Sequence, residues 1–355
     1  MTLDYAAYEF RGTCYRKSAD ANAWTKQVNE APLEPDLPII DPHQGVWDDA
    51  RGRYLMQELA EDTNTGHNIV ATVFAEATSM YRADGPEEMK PVGEVEFVVG
   101  IAAMSASGQY GPTRQFVGIN GYADLTLGDR VQPVLEAQIE AANGRFRGIR
   151  HGVVWDSGDA WKYNRRKVPR HLLLDPQFRK GFARLQPLGL SFEAWLFHPQ
   201  LSELADLLRA FPETNVCLDH CGGLLGIPPH ANRAEVFEVW RESIRDVAKY
   251  PNLKVKVGGL GMLYCGWDFH LRDVPPRSEE LAAAWRPYME TCIEAFGAER
   301  CMMESNFPVD KQSCGYGVLW NGLKRITRNY SAAEKAALYH DNAAKFYRIE
   351  SALQR

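Results

Sequence analysis

Four of the nine histidines in this chain stand at or just past the ends of apolar, β-rich runs: His43, His151, His198 and His220. Carboxylates, an arginine and an amide share that kind of position, namely Glu76, Asp124 beside Tyr122, Arg150, Asp219, Glu304 and Asn306. A neutral imidazole can accept or donate a proton near neutral pH, and it can also bind a metal ion. A carboxylate can take the proton of an attacking water or fix the tautomer of a neighbouring imidazole. A guanidinium forks onto carboxylates, and an asparagine amide can hold a substrate oxygen or orient a water without acting as a base. Together these groups point to hydrolytic or proton-transfer chemistry on a small molecule.

The elements that must position them follow from the pattern of the runs. Eight occur: 38–43, 69–76, 117–125, 146–151, 191–198, 216–221, 253–260 and 301–307. Several are nearly continuous in Val, Ile, Leu and Phe, as strands buried on both faces of a parallel sheet are. The segments between them carry helical periodicity. Residues 129–142 put Val131, Val134, Leu135, Ile139 and Ala142 on one stripe before stopping at Asn143-Gly144. Pro199 opens a helix with Leu201, Leu204, Leu207, Leu208 and Phe211 facing inward. Ser331 and Glu334 form a capping box for a last helix carrying Leu338 and Phe346. Eight strand–helix units without a break in composition predict an α/β fold with a single (β/α)8 TIM barrel over 37–355, preceded by an N-terminal arm over 1–36. A doubly wound open sheet would need a Gly-rich phosphate loop after an early strand, and none is present.

In such a barrel the chemistry gathers at the C-terminal ends of the strands. His43, His198 and His220 are therefore expected to converge at the mouth. Strand eight reads Met302-Met303-Glu304-Ser305-Asn306, so period two puts Glu304 and Asn306 on one face, with Glu304 a layer deeper. His43, His198, His220, Glu304 and Asn306 are the candidate catalytic residues. Glu76, Tyr122, Arg150, His151, Trp155 and Trp195 are the candidate substrate-binding residues. Arg150 suits an acidic substrate, and the tryptophans suit an apolar wall. The long segments 78–93, 155–170 and 261–277 are candidate lids.

Bulk properties narrow the partners. With 45% hydrophobic and 24% charged residues, the chain has the composition of an ordinary globular protein. A net charge of -6 and the lack of a Lys/Arg run argue against nucleic acid. No apolar run approaches the roughly 18 residues of a membrane helix, and the acidic N-terminus lacks the order of a signal peptide. Seven cysteines without a CxxC pattern suit reduced thiols and a cytoplasmic location. The expected partner is a small-molecule substrate, and the arm is available to pair two copies into a homodimer.

The chain resembles the amidohydrolase-related proteins, the "amidohydrolase 2" group of the amidohydrolase superfamily, which includes lactonases, decarboxylases and other barrel hydrolases. The resemblance rests on Pro38-Ile39-Ile40-Asp41-Pro42-His43 with Trp47, Phe146-Arg147-Gly148-Ile149-Arg150-His151, Phe197-His198-Pro199-Gln200-Leu201, Leu218-Asp219-His220-Cys221-Gly222-Gly223, Glu304-Ser305-Asn306-Phe307-Pro308, Leu319-Trp320-Asn321 and Asn342-Ala343-Ala344-Lys345-Phe346-Tyr347. It implies a barrel whose metal-dependent members use two strand-one histidines, a strand-five histidine, often a strand-six histidine, and a strand-eight aspartate. By position, His43, His198 and His220 match three of these. Gly45 stands where the second histidine belongs, and Asn306 where the aspartate belongs. The family also implies lactonases that work without metal.

The leading expectation is therefore a hydrolase that opens a lactone or a similarly activated cyclic carbonyl compound without tightly bound metal. No cofactor is required by it. One alternative keeps zinc or manganese on His43, His198 and His220 for hydrolysis or non-oxidative decarboxylation. Others are a lyase or hydratase on the same barrel, or a non-catalytic small-molecule binder.

Overall fold

In a computed structural model, residues 14–353 are described, and the first thirteen residues of the expected arm lie outside them. Eight parallel strands follow one another around a single sheet in chain order. They are β1 (Ile39–Gln44), β2 (Ile69–Ala75), β3 (Arg114–Gly121), β4 (Phe146–Ile149), β5 (Ser191–Ala194), β6 (Val216–Leu218), β7 (Leu253–Val257) and β8 (Cys301–Met303). A helix follows each: α1 (Met56–Thr63), α2 (Val92–Ala106), α3 (Gln132–Ala141), α4 (Pro176–Phe182), α5 (Leu201–Ala210), α6 (Arg233–Val247), α7 (Ser278–Phe296) and α8 (Tyr316–Ile326). The eightfold strand–helix alternation expected from the sequence is this barrel.

The strands form because their side chains are wanted on both faces. Every residue of β1, β5, β6 and β8 is buried. The helices form because one stripe of each is apolar. In α5, Leu201, Leu204, Leu207 and Leu208 are all buried against the sheet, as their spacing predicts. Burying one such leucine stabilises by roughly 1.5–3 kcal/mol. The capping box at Ser331 is present, with Ser331 Oγ accepting from Glu334 N and the Glu334 carboxylate accepting from Ser331 N. Leu338 and Phe346 beyond it are both buried.

Boundaries differ from expectation where local polar chemistry intervenes. β3 starts at Arg114 and stops at Gly121, so Tyr122 and Asp124 lie past its end. Asp124 Oδ1 accepts from Thr126 N at 3.0 Å, which turns the chain into a 3₁₀ segment. The following helix begins at Gln132 and not Asp129, because the 3₁₀ segment runs on through Val131.

Closure is narrow. Strands β1 and β8 meet through a single bridge, Gln44 to Phe307, with Gly45 N donating to Phe307 O at 2.9 Å. The buried carboxylate of Asp41 supplies what that seam lacks. It accepts from Gln44 Nε2 (2.9 Å), Tyr316 Oη (3.0 Å), Ser305 N (3.1 Å) and Ser305 Oγ, tying β1 to the segment after β8 and to α8. Residues 15–33 pack across the outside: Tyr15 N and Arg16 N donate to Gln312 Oε1, Trp24 Nε1 to Arg272 O, and Leu33 N to Asn321 Oδ1. No helix among the described residues is long and apolar enough to cross a membrane.

Asp41→Ala leaves those donors buried without an acceptor, which costs about 3–5 kcal/mol. Urea denaturation of the variant should show a loss of that size. A loss below about 1 kcal/mol would mean that the seam does not depend on Asp41.

Candidate active site

At the C-terminal ends of the strands the barrel opens into a cavity of about 100 Å³ continuous with solvent. Its lining includes His43 within and Gly45 just after the end of β1, Glu76 after β2, Arg150 after β4, Trp195 after β5, His220 after β6 and Asn306 after β8. Arg165 and Arg166 enter from the loop after β4, and Met262 and Tyr264 from the loop after β7.

His220 is held from below by Glu304. Its Nδ1 lies 2.7 Å from Glu304 Oε1, which also accepts the His220 backbone N–H at 3.1 Å. An oxygen that already accepts one N–H is the acceptor for the ring as well, so Nδ1 carries the proton and Nε2 presents a lone pair. That Nε2 lies 3.4 Å from Arg150 Nη2. His220 takes a left-handed backbone (φ 55°), and Gly259 makes room for it: a Cβ there would fall 2.4 Å from His220 Nδ1.

His43 has the opposite arrangement. Its Nδ1 lies 3.1 Å from the ammonium of Lys256 on β7. An ammonium can only donate, so Nδ1 accepts and the proton resides on Nε2. Burial first, and the Lys256 charge second, hold His43 well below the usual histidine range, so its ring is neutral. The two rings sit 4.5 Å apart, centroid to centroid.

Beneath them lies a buried charged layer. Lys256 Nζ contacts Glu193, which also accepts from Tyr347 Oη at 2.8 Å, and lies 3.2 Å from Asp219 Oδ1. Burial works against the charge on Lys256, but Asp219 and Glu193 raise its pKa above the ordinary value. Burial likewise opposes ionisation of Asp219, yet the Lys256 ammonium and the Arg150 guanidinium hold its carboxyl well below the ordinary range. Burial lifts Glu193 to about 8. On the wall above, Arg150 Nε donates to Asp219 Oδ2 (2.9 Å), and its Nη1 lies 3.6 Å from Glu76 Oε2. Arg166 donates to Glu76 at 2.8 Å and to Tyr81 Oη at 2.6 Å, and covers the Tyr122 ring at 3.7 Å.

The expected convergence of three histidines is corrected. His43 and His220 meet, but His198 lies outside the cavity lining. Strand β5 ends at Ala194, so Trp195 takes the cavity position, with its ring 4.9 Å from that of His220. His198 lies four residues beyond, in the turn that starts α5; its Nδ1 accepts from Leu225 N and its ring stacks edge-on to His230. Burial holds its pKa down at about 4. His151 is likewise off the lining, with Nδ1 accepting from Leu125 N and the ring packed between Tyr122 and Phe178. Tyr122 lies behind Arg166, and Trp155 stacks beneath Arg170. Glu304 lies under the histidines, and Asn306 donates from Nδ2 to the buried Asp310 at 2.7 Å.

Two residues of the cluster escaped sequence reasoning. Asp219 stood at a strand end but was not placed in the site. Lys256 carried a signal, because a lysine inside the apolar strand Leu253-Lys254-Val255-Lys256-Val257 needs a buried partner.

The family resemblance implies a divalent ion, and the donors can be tested for one. The atoms of His43, Asp219 and His220 that could ligate lie within 4.8 Å of one another. Asp219 Oδ1 and Glu304 Oε2 are buried without a hydrogen bond. Both lie close to His43 Nδ1, at 3.7 and 3.3 Å, and the Lys256 ammonium is 3.2 Å from Asp219 Oδ1. Arg150 holds the other Asp219 oxygen and approaches His220 Nε2. An imidazole at position 45 would begin 3.2 Å from the Trp47 ring. Two fixed cations therefore face the acceptors that a third would need, and the set does not fit a tightly held divalent ion.

Comparison with known proteins agrees with the fold. A family model described as "Amidohydrolase" matches residues 40–349. A Sinorhizobium fredii relative described as "Uncharacterized protein y4mH" is 34% identical over 337 residues, covering 88% of this chain and 99% of that one. An L-fucono-1,5-lactonase of Burkholderia multivorans is 25% identical over 230 residues, covering 64% of this chain and 70% of that one. A crystal structure of a Burkholderia multivorans amidohydrolase with bound zinc shares the fold (TM-score 0.65, 23% identity, 87% of this chain and 99% of that one).

Replacing Lys256 by Met should cost about 3–5 kcal/mol by removing the cation that faces Glu193 and Asp219 Oδ1. Calorimetric titration should show zinc binding at least tenfold tighter than in wild type. Unchanged zinc affinity in a folded variant would contradict the part assigned to the ammonium.

Proposed function

The chain belongs to the amidohydrolase family and is an enzyme of that superfamily, and from that premise we propose that it opens a lactone, or a similarly activated cyclic carbonyl compound, by histidine-assisted attack of water. The observation that carries this reading is the pair of imidazoles whose buried partners are of opposite kind, an acceptor under His220 and a donor under His43. His220 offers a lone pair at Nε2, and His43 offers an N–H at Nε2, within one cavity. A base and a hydrogen-bond donor at this spacing match what ester opening needs.

In this reading His220 Nε2 removes a proton from water as its oxygen bonds to the carbonyl carbon. Glu304 holds the ring in the required tautomer and stabilises the imidazolium that forms. The carbonyl oxygen, becoming negative, accepts from His43 Nε2–H, with the Arg150 guanidinium adding positive charge nearby. The tetrahedral adduct collapses, the ring C–O bond breaks, and the departing oxygen takes the proton that His220 acquired. The product is an open-chain hydroxy acid. An activated ester is electrophilic enough that these groups suffice without a Lewis acid. Relatives named L-fucono-1,5-lactonase support the choice of a lactone and make that compound the first substrate to try.

His220→Ala should lower kcat about 10²–10⁴-fold with little change in the urea midpoint. Hydrolysis in heavy-oxygen water should put one label into the product carboxylate, and dialysis against a chelator should leave turnover within about twofold. Full turnover by the His220 variant removes this base assignment, and loss of activity on chelation removes the metal-free mechanism.

A further inference from the structure

The cavity rim holds more positive charge than its partners offset. Arg51 and Arg165 both line the cavity, are only 8% and 9% exposed, and share one carboxylate, that of Asp49, which is not part of the lining. Asp49 accepts from Arg51 Nε (3.0 Å) and Nη2 (2.8 Å) and from Arg165 Nη2 (2.7 Å). Arg165 Nη1 is spent on the backbone oxygens of Thr78 (2.7 Å) and Ala77 (3.3 Å), while its Nε is buried with no partner. Arg51 is further fixed by stacking 3.7 Å over the Trp47 ring. The other two lining arginines are different: Arg166 is matched by Glu76, and Arg150 by Asp219 with Glu76 nearby. Two guanidinium groups sharing one carboxylate leave positive charge at the rim that an anionic ligand can offset.

Beneath the histidines, Asp219 and Glu304 lie outside the lining, and Lys256 and Arg150 offset the Asp219 charge. An anionic group is therefore drawn to the rim, where two guanidinium charges share one carboxylate. Resting on the lactone reading above, we propose that the substrate bears a carboxylate apart from the scissile ester, and that Arg165, with Arg51 beside it, grips that carboxylate at the cavity rim. Arg150, the arginine that the sequence suggests for an acidic substrate, is instead committed to Asp219 and Glu76.

The test is binding of a non-hydrolysable cyclic acid, tetrahydropyran-2-carboxylate, against its uncharged carboxamide, by calorimetry on the full chain. Wild type should bind the acid about 10- to 100-fold more tightly, the range of one charge-assisted contact. Arg165→Gln should bring the ratio close to one, and His220→Ala should leave the ratio intact. Equal binding of acid and amide by wild type overturns the inference without any variant, and so does a folded Arg165→Gln that keeps the preference. Lactone turnover without acid preference defeats this inference alone. Acid preference without turnover of any lactone defeats the hydrolytic reading and leaves the carboxylate grip standing.

Discussion

A lysine ammonium enclosed inside the barrel sets the electrostatics of everything above it. Lys256 is fully buried on β7 and touches Glu193, Asp219 and His43. A charge in that position is tolerable only because carboxylates surround it. In return it keeps Asp219 ionised and His43 neutral, and it dictates which nitrogen of His43 bears the proton. Asp219 then anchors Arg150, and Arg150 reaches the second imidazole. One buried cation thus sets the state of a chain of groups that ends at the cavity surface.

The same constraint separates the two histidines. His43 looks down on a donor and His220 looks down on an acceptor. Two chemically identical side chains, 4.5 Å apart, therefore present opposite faces to a ligand. Their different partners come from adjacent elements of the wall: Lys256 from β7 and Glu304 from the end of β8. Closure of the barrel is what sets those partners beside both rings, and Asp41 helps to hold that closure across the seam between β1 and β8.

Within the amidohydrolase family this site carries Gly45 and Asn306 at two of the pattern's ligand positions and has fixed organic cations around it. Where the strand-one pattern has a second histidine, Gly45 leaves room for the Trp47 ring, and Arg51 covers that ring. Where strand eight has an aspartate, Asn306 bonds to Asp310. Lys256 and Arg150 put fixed positive charge beneath and beside the two imidazoles, and Arg165 and Arg51 put it at the rim.

The sequence by itself determined the barrel. Eight apolar runs, a capping box and a leucine stripe each reflect local periodicity, and local periodicity survives without knowledge of the neighbours. It also determined that His43, His220, Glu304 and Arg150 lie at strand ends. The tertiary structure decided which of those groups meet. In strands buried on both faces, alternation does not distinguish the face inside the barrel from the face under the helices, so the pattern around Lys256 calls for a buried partner without saying on which face that partner lies. Nor does a run's apparent length fix where pairing stops: β5 ends at Ala194, and those few residues of slack carry His198 into a turn against His230 and give its place to Trp195. The pairing of Arg165 with a distant Asp49 depends on a loop crossing the barrel mouth. Strand formation is dictated by short-range patterns, whereas the partner of a charge is dictated by which elements closure brings together.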